Sequence, residues 1–184
     1  MKFYFGSGRL CLDFVRTLRA RRGHAIEGLE SAEDLDRWID EAHLPVKLRK
    51  QAIKQDDLRA ARQLRETIYE VVEATRLKSR MSNPHIALLN AHAAQPPPFP
   101  QLSAKGQISW SSPDPLNAAF SYLARDTLEL VGSESASRIR ECADKECTSL
   151  FFDTSRSANR RWCSAMPCAN RNKVRAYRSR MRPS

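Results

Sequence analysis

Four of the five cysteines lie close together near the end of the chain, in two pairs whose spacing suits a metal. Cys142 and Cys147 are separated by four residues, fifteen residues follow, and Cys163 and Cys168 are again separated by four. Two such pairs can supply the closed tetrahedral shell of a structural zinc site, in which each sulfur lies about 2.3 Å from the metal. The spacing therefore predicts that these four side chains bind one Zn²⁺ ion.

Other chemistries compete with structural zinc for these thiols. Disulfides need an oxidising compartment, and a thioredoxin-type redox pair has two intervening residues instead of four. An iron–sulfur cluster also takes four thiolates, although the symmetric pairs and the surrounding positive charge favour zinc. A catalytic zinc would need an open ligand position, and four cysteines close the shell. The fifth cysteine, Cys11, lies on an apolar stripe and is expected to be a buried core thiol.

Positive charge is concentrated in the same part of the chain. The net charge is +10, and residues 138–184 carry 12 Lys/Arg against 4 Asp/Glu, whereas residues 1–137 carry 19 against 17. This asymmetry indicates a polyanionic partner, and the formal charge of −2 on a zinc–tetrathiolate centre accounts for only part of it. The residues that we expect at a DNA surface are Arg156, Arg160, Arg161, Arg171, Lys173, Arg175, Arg178 and Arg180.

The residues between the cysteine pairs predict a small hairpin. Leu150–Phe152 is strand-like, Asp153–Ser155 is typical of a turn, and Arg160–Trp162 is expected to return as a second strand into Cys163. A turn, a hairpin, a further turn and a helix around one zinc form the treble-clef arrangement. Zinc binding can fold such a segment even though it is too short to build its own core.

The sequence after Cys168 favours a helix with one basic face. Arg171, Arg175 and Arg178 follow the i, i+4, i+7 spacing of a single helix face, which we expect to contact phosphates or a major groove. Val174 and Tyr177 point elsewhere and are expected to pack on the hairpin.

The fold class expected is mainly α with a small β-hairpin. We place a helical domain at residues 1–135 and the zinc finger at 136–184, with the boundary in the small, polar stretch 132–137. Capping-box residues begin one helix at Ser31, the longest helix runs from about residue 56 to 78, and alternation over 101–110 predicts the hairpin.

Features that the sequence lacks lead to expectations about cellular location and catalysis. The opening MKFYFGSGRL has three consecutive bulky apolar residues before Gly6, too few for a signal peptide, and no apolar run approaches a membrane span. We therefore expect a cytoplasmic protein with reduced thiols and no membrane partner. The sequence shows no nucleophile–base pair, phosphate-binding loop or open metal site, so we expect no enzymatic activity.

Longer motifs extend from the cysteines and from the first helix. They are Phe152-Asp153-x-Ser155-Arg156, Arg160-Arg161-Trp162-Cys163-Ser164, Cys168-Ala169-Asn170-Arg171-x-Lys173-Val174 and Leu10-Cys11-Leu12-Asp13-Phe14-Val15-x-Thr17. The first three resemble the CGNR zinc finger, and the last resembles the opening of the helical ABATE domain that accompanies it. Proteins of this family are regarded as candidate stress-related bacterial transcription regulators. The resemblance implies DNA binding by the finger and ligand binding or regulation by the ABATE domain.

Two residues depart from the pattern of the family. Ala169 replaces the glycine that names the finger, and we expect ordinary helical geometry there with zinc binding kept. Arg16 stands where the ABATE opening usually has Asn, so a ligand is expected to differ from that of relatives or to be absent. Asp13 and Thr17 match the opening and, with Arg16, form the ligand site that the resemblance implies; packing or capping by these polar groups is the competing interpretation.

Together these features predict a zinc-stabilised, DNA-binding transcription regulator with a possible small-molecule effector. A single finger has a small footprint on duplex DNA, which favours a homodimer formed through the helical domain. The alternative is a structural zinc module for protein or RNA interaction, and comparing duplex DNA with single-stranded RNA at matched salt separates the two.

Overall fold

Helices dominate the protein, and three small antiparallel sheets join them. The computed structural model describes residues 2–46, 48, 53–163 and 168–181 of the chain. The α-helices of this part are α1 (Leu10–Val15), α2 (Ala32–Glu41), α3 (Gln55–Leu77), α4 (Asn83–Ala93), α5 (Pro115–Val131) and α6 (Asn170–Arg180). The strands pair as β1 (Leu18–Arg19) with β2 (Ile26–Glu27), β3 (Phe99–Leu102) with β4 (Ile108–Ser111), and β5 (Ile139–Glu141) with β6 (Leu150–Phe152).

Local sequence signals explain where several elements begin. At α2, the Ser31 hydroxyl accepts a hydrogen bond from the Asp34 amide at 3.3 Å, and the Asp34 carboxylate accepts one from the Ser31 amide at 3.1 Å. This reciprocal capping box satisfies two amides that the helix itself leaves free. The predicted long helix and the predicted hairpin are both confirmed, as α3 and as β3–β4, in which Leu102 pairs with Ile108.

The core of the helical part lies between α3 and the helices around it. Helices α1, α2, α4 and α5 all pack against α3, and α1 also packs against α5. Phe14 and Trp38 lie in contact, with ring centroids 4.8 Å apart, and Leu64, Ile68 and Leu123 are fully buried in the same core. No helix in the described part of the chain is long and apolar enough to cross a membrane.

A buried ion pair joins α3 to the β1–β2 hairpin. The Arg65 side chain is 3% exposed, and its two terminal nitrogens donate to the Glu27 carboxylate at 2.5 and 2.8 Å. Burial alone would raise the pKa of Glu27, but hydrogen bonds from Arg65 and from the Leu29 and Gly28 amides hold it below its ordinary value. The carboxylate is therefore stabilised in its ionised form.

Replacing Arg65 with Met is expected to cost about 3 kcal/mol of stability, because one partner of a largely buried pair is left uncompensated. Because folding lowers the pKa of Glu27, the stabilisation is present above the ordinary value of 4.5 and is lost as the pH falls through the lower folded value. Urea unfolding at pH 7 and at pH 3 measures both effects. R59A, which breaks the exposed pair with Asp56, is the control and should cost under about 1 kcal/mol. Equal losses in the two variants would refute this assignment.

The β5–β6 hairpin packs onto the helical part. Ile139 and Leu150 are buried in the same apolar core as the helices, and the Phe152 amide donates to the Ser7 carbonyl at 2.7 Å. Gly8 lies against this strand with φ +89°, and a Cβ there would lie 2.7 Å from the Phe152 carbonyl oxygen. A residue other than glycine would therefore push the hairpin away.

The boundary proposed between residues 135 and 136 lies inside a 3-10 helix, Glu134–Arg138, that follows α5. Just beyond it, Glu141 of β5 pairs with Arg22 at 2.7 Å and with Arg76 of α3 at 3.3 Å. Contacts thus cross the boundary, and the division into two domains stays a proposal.

Candidate metal centre and basic helix

The first cysteine pair lies in the turn that joins β5 to β6. The Cys142 amide donates to the Ser149 carbonyl at 2.9 Å, and the Cys147 amide donates to the Asp144 carbonyl at 2.8 Å. Thr148 has a positive φ of 51°, which reverses the chain direction after Cys147. The turn therefore holds both sulfurs on the same side of the hairpin end.

The second pair lies between the loop after β6 and helix α6. Arg160 supports Cys163 by donating to the carbonyls of Trp162 at 3.0 Å and of Cys163 at 2.8 Å. Ala169, the residue before α6, has φ −61° and ψ −44°, so the expected helical geometry is confirmed. Because this conformation suits any L-residue, the site has no need of a glycine here.

All four sulfur atoms converge on one point. Each lies within 4.8 Å of the others, and the Sγ atoms of Cys163 are 3.6 Å from Cys147 and 3.7 Å from Cys168. A tetrahedron with zinc–sulfur bonds of about 2.3 Å has sulfur–sulfur edges of about 3.8 Å. The donor set, its spacing and its burial fit Zn²⁺, which Cys142, Cys147, Cys163 and Cys168 would hold. A bound ion would join the β5–β6 turn to the start of α6.

Because the four thiols lie so close together, the ionisation of one affects the pKa of the others. Hydrogen bonds from Cys142 and Cys163 lower the pKa of Cys147, whereas those with Cys142 and Cys147 raise the pKa of Cys163. Burial raises the pKa of Cys168 to about 12. Four thiolates at these distances repel one another unless a cation lies between them, which is the role that Zn²⁺ fills.

Two acidic residues between the first cysteines bind the basic face of α6. The Asp144 side chain is 0% exposed, and it pairs with Arg171 at 3.0 Å and with Arg175 at 3.3 Å. Glu146 pairs with the same two arginines, at 2.8 Å to Arg171. The helix is thus fastened to the metal-binding turn by four ion pairs. These two acids were not predicted from the sequence, although their place between the first two cysteines of an otherwise basic segment was a usable signal.

This docking reverses the expected orientation of α6. Arg171 and Arg175, predicted to face DNA, face the turn, while Val174 and Tyr177, predicted to be packed, are 47% and 56% exposed. The prediction for Val174 and Tyr177 was wrong because ion pairs, and not apolar contacts, determine which face is covered.

The return strand predicted for residues 160–162 was also wrong. The partner of β6 is β5, which precedes the first cysteine pair, and residues 160–162 form no strand. A buried carboxylate orders the loop instead: Asp153 accepts hydrogen bonds from the Ser155 amide at 2.9 Å, its hydroxyl at 2.6 Å and the Arg160 amide at 2.7 Å.

The remaining basic residues of the predicted DNA surface divide into two groups. Arg160 packs over the Phe151 ring at 4.5 Å and supports the cysteine loop, so its side chain is structural. The others are exposed, and no ion pair involves them within the described residues; they are Arg156, Arg161, Lys173, Arg178 and Arg180.

The predicted ligand residues are buried at the end of α1. Asp13 accepts a hydrogen bond from the Ser7 amide at 2.8 Å, and Thr17 donates to the Phe14 carbonyl at 2.8 Å while accepting from Arg65 at 3.2 Å. These contacts match the packing and capping roles of polar groups. Arg16 lines a cavity of about 170 Å³ between this segment and the finger.

Comparisons with known proteins agree with this geometry. The model of the ABATE family, described as "putative stress-induced transcription regulator", matches residues 8–134. The model of the CGNR zinc finger matches residues 138–181, which include all four cysteines. The chain therefore belongs to the ABATE family and carries a CGNR zinc finger. No curated protein matches the chain.

Proposed function

We propose that the protein is a transcription regulator that binds duplex DNA through the exposed basic surface of its zinc finger. The observation that carries this proposal is the outward face of α6, where Lys173 and Arg180 are exposed. Arg178 is also exposed, on the face of Arg171 and Arg175 but nearer the end of the helix. The ion pairs with Asp144 fasten this helix to the metal-binding turn, and bound zinc would fix its start, so the cations are presented on an anchored helix. Such a surface suits the phosphate backbone.

Acidic residues of the finger do little to neutralise that surface. Glu141 pairs with arginines of the helical part, Asp144 and Glu146 pair with Arg171 and Arg175, and Asp153 is buried among donors of its own loop. The positive charge that remains exposed is therefore uncompensated, which favours strong and salt-dependent binding of a polyanion.

Removing Lys173, Arg178 and Arg180 together, as K173A/R178A/R180A, is expected to weaken duplex binding and its salt dependence. Each lost phosphate contact lowers the slope of log K against log salt by about 0.9, so three contacts lower it by about 2 to 3. Fluorescence anisotropy with a labelled duplex over a series of salt concentrations measures the slope.

The matched control is K2A/R59A/K105A, which removes the same number of charges from exposed positions in the helical part. It should leave the slope close to that of the wild type. If both triple variants lose the same affinity and slope, the effect is one of net charge, and the proposed DNA surface is wrong.

Further parts of the proposal concern an effector, assembly and location. We place a small-molecule effector in the 170 Å³ cavity, whose walls include residues of the helical part and two of the cysteines.

A homodimer would enlarge the small footprint of one finger on DNA. The exposed face of the β3–β4 hairpin, formed by Leu102, Ile108 and Trp110, offers apolar surface for a second copy. A cytoplasmic location would keep the zinc-binding thiols reduced, and we assign no catalytic activity.

One observation favours RNA as a second candidate partner. Tyr177 lies exposed between Lys173 and Arg180 on the outward face of α6. An aromatic ring between cations can stack on an unpaired base. A single ring is a small platform, whereas single-strand binders use several, so duplex DNA remains the preferred partner.

A further inference from the structure

Arg16 is a buried cation without a carboxylate partner. The residue is 7% exposed, and its Nε is buried without a hydrogen-bond acceptor. Within the described part of the chain no carboxylate forms an ion pair with it. Its guanidinium carbon lies over the Tyr4 ring, 5.2 Å from the ring centroid.

Burial of an uncompensated guanidinium is costly. Moving a charge out of water is unfavourable unless an opposite charge offsets it, and a cation–π contact offsets only part of that cost. Asp13, one turn earlier, is close enough for its charge to act on Arg16, but its carboxylate is bound to the Ser7 amide. A further source of negative charge would offset more of the cost of burying Arg16.

Arg16 also lines cavities that reach the candidate metal centre. Two separate cavities that Arg16 lines also have Cys147 in their walls, and one of them includes Cys168. Arg16 thus shares cavity walls with two of the four candidate ligands.

We propose that Arg16 supplies a counter-charge to the zinc–tetrathiolate centre, across the junction between the helical part and the finger. Four thiolates and one Zn²⁺ carry a formal charge of −2, and positive groups around such a site tune its affinity for metal. Arg171 approaches the same sulfurs from α6, with its NH2 group 4.0 Å from the Cys168 sulfur. Arg16 adds a cation that belongs to the other domain, so zinc binding stabilises the end of α1 as well as the finger.

Arg16→Met tests this role because it removes the charge and keeps most of the volume. Loss of an outer partner of a metal site weakens metal affinity by about 10- to 100-fold, and we expect R16M to fall in that range. Arg16→Lys keeps the charge and should stay within a few-fold of the wild type. Zinc affinity is measured by competition with a chromophoric chelator, and the thermal midpoint of each zinc-loaded protein is measured beside it.

Arg19→Met is the matched control. Arg19 lies over the same Tyr4 ring at 5.0 Å and lines the same 170 Å³ cavity, but it is only half-buried. Its replacement should leave zinc affinity unchanged. If R16M binds zinc as tightly as the wild type, or if R16K weakens binding as much as R16M, Arg16 is a packing residue and the proposal is wrong. Should R16M fail to fold with zinc, a folded R16K with wild-type zinc affinity supports the proposal and a weakened R16K overturns it.

Discussion

Zinc removal is expected to unfold the turn at residues 142–149 and the segment 153–181, while α1–α5 and the strands β5 and β6 stay folded. The buried apolar cluster around the metal contains little beyond the cysteines themselves and Phe151, with Trp162 packed against it. So small a cluster cannot stabilise the segment alone, and structural zinc contributes about 10–16 kcal/mol in isolated fingers. Helices α1–α5 have their own core, in which Trp38 and Phe14 are fully buried. The loss should therefore be confined to the finger.

Circular dichroism and limited proteolysis of the chelator-treated protein measure this loss. We expect cleavage within residues 142–181 and a reduced helical signal from α6. C163S should reproduce the result in the presence of zinc, whereas C11A removes a buried thiol outside the metal centre and should still bind one zinc per chain. An unchanged proteolytic pattern after chelation would show that the finger folds without metal.

Replacing Arg171 and Arg175 together with Ala is expected to have the second-largest effect. Both arginines pair with Asp144, whose side chain is fully buried, so the variant leaves a buried carboxylate without its cations. Removing the partner of a buried charge costs about 3–5 kcal/mol, and the lower end applies because the arginines are partly exposed. We expect R171A/R175A to release zinc faster and to unfold at lower denaturant.

A third substitution tests whether the unpaired carboxylate of Asp144 causes the loss of stability. Asp144→Asn in the R171A/R175A background removes the unpaired charge and should restore much of the stability. R178A/R180A removes the same number of charges from exposed positions and should leave stability within about 0.5 kcal/mol of the wild type. If R171A/R175A proves as stable as R178A/R180A, the ion pairs with Asp144 do not hold α6 in place.

The metal centre and the main helices could be predicted from sequence because their signals are local. The spacing of the four cysteines identifies the ligands without knowledge of their surroundings. The capping box at Ser31 and the apolar period of α3 likewise depend on neighbours within one or two turns. These signals do not depend on residues that are distant in the sequence.

The orientation of α6 could not be predicted in this way. It depends on Asp144 and Glu146, which lie 25 or more residues before their arginine partners, and helical spacing alone does not show which face is covered. The strand paired with β6 and the burial of Arg16 are likewise tertiary effects. Arg16 was expected to contact a ligand, and only the fold shows that it lines the same cavity as Cys147 and Cys168.

Binding of the zinc-loaded protein to duplex DNA and to single-stranded RNA of equal length, at matched near-physiological salt, shows whether the finger prefers duplex DNA. We expect tighter binding to the duplex, a steep decrease with salt and the loss of binding when zinc is removed. Equal or tighter binding to RNA, particularly if Y177A abolishes it, would show that the finger is a single-strand binder and that the proposed function is wrong.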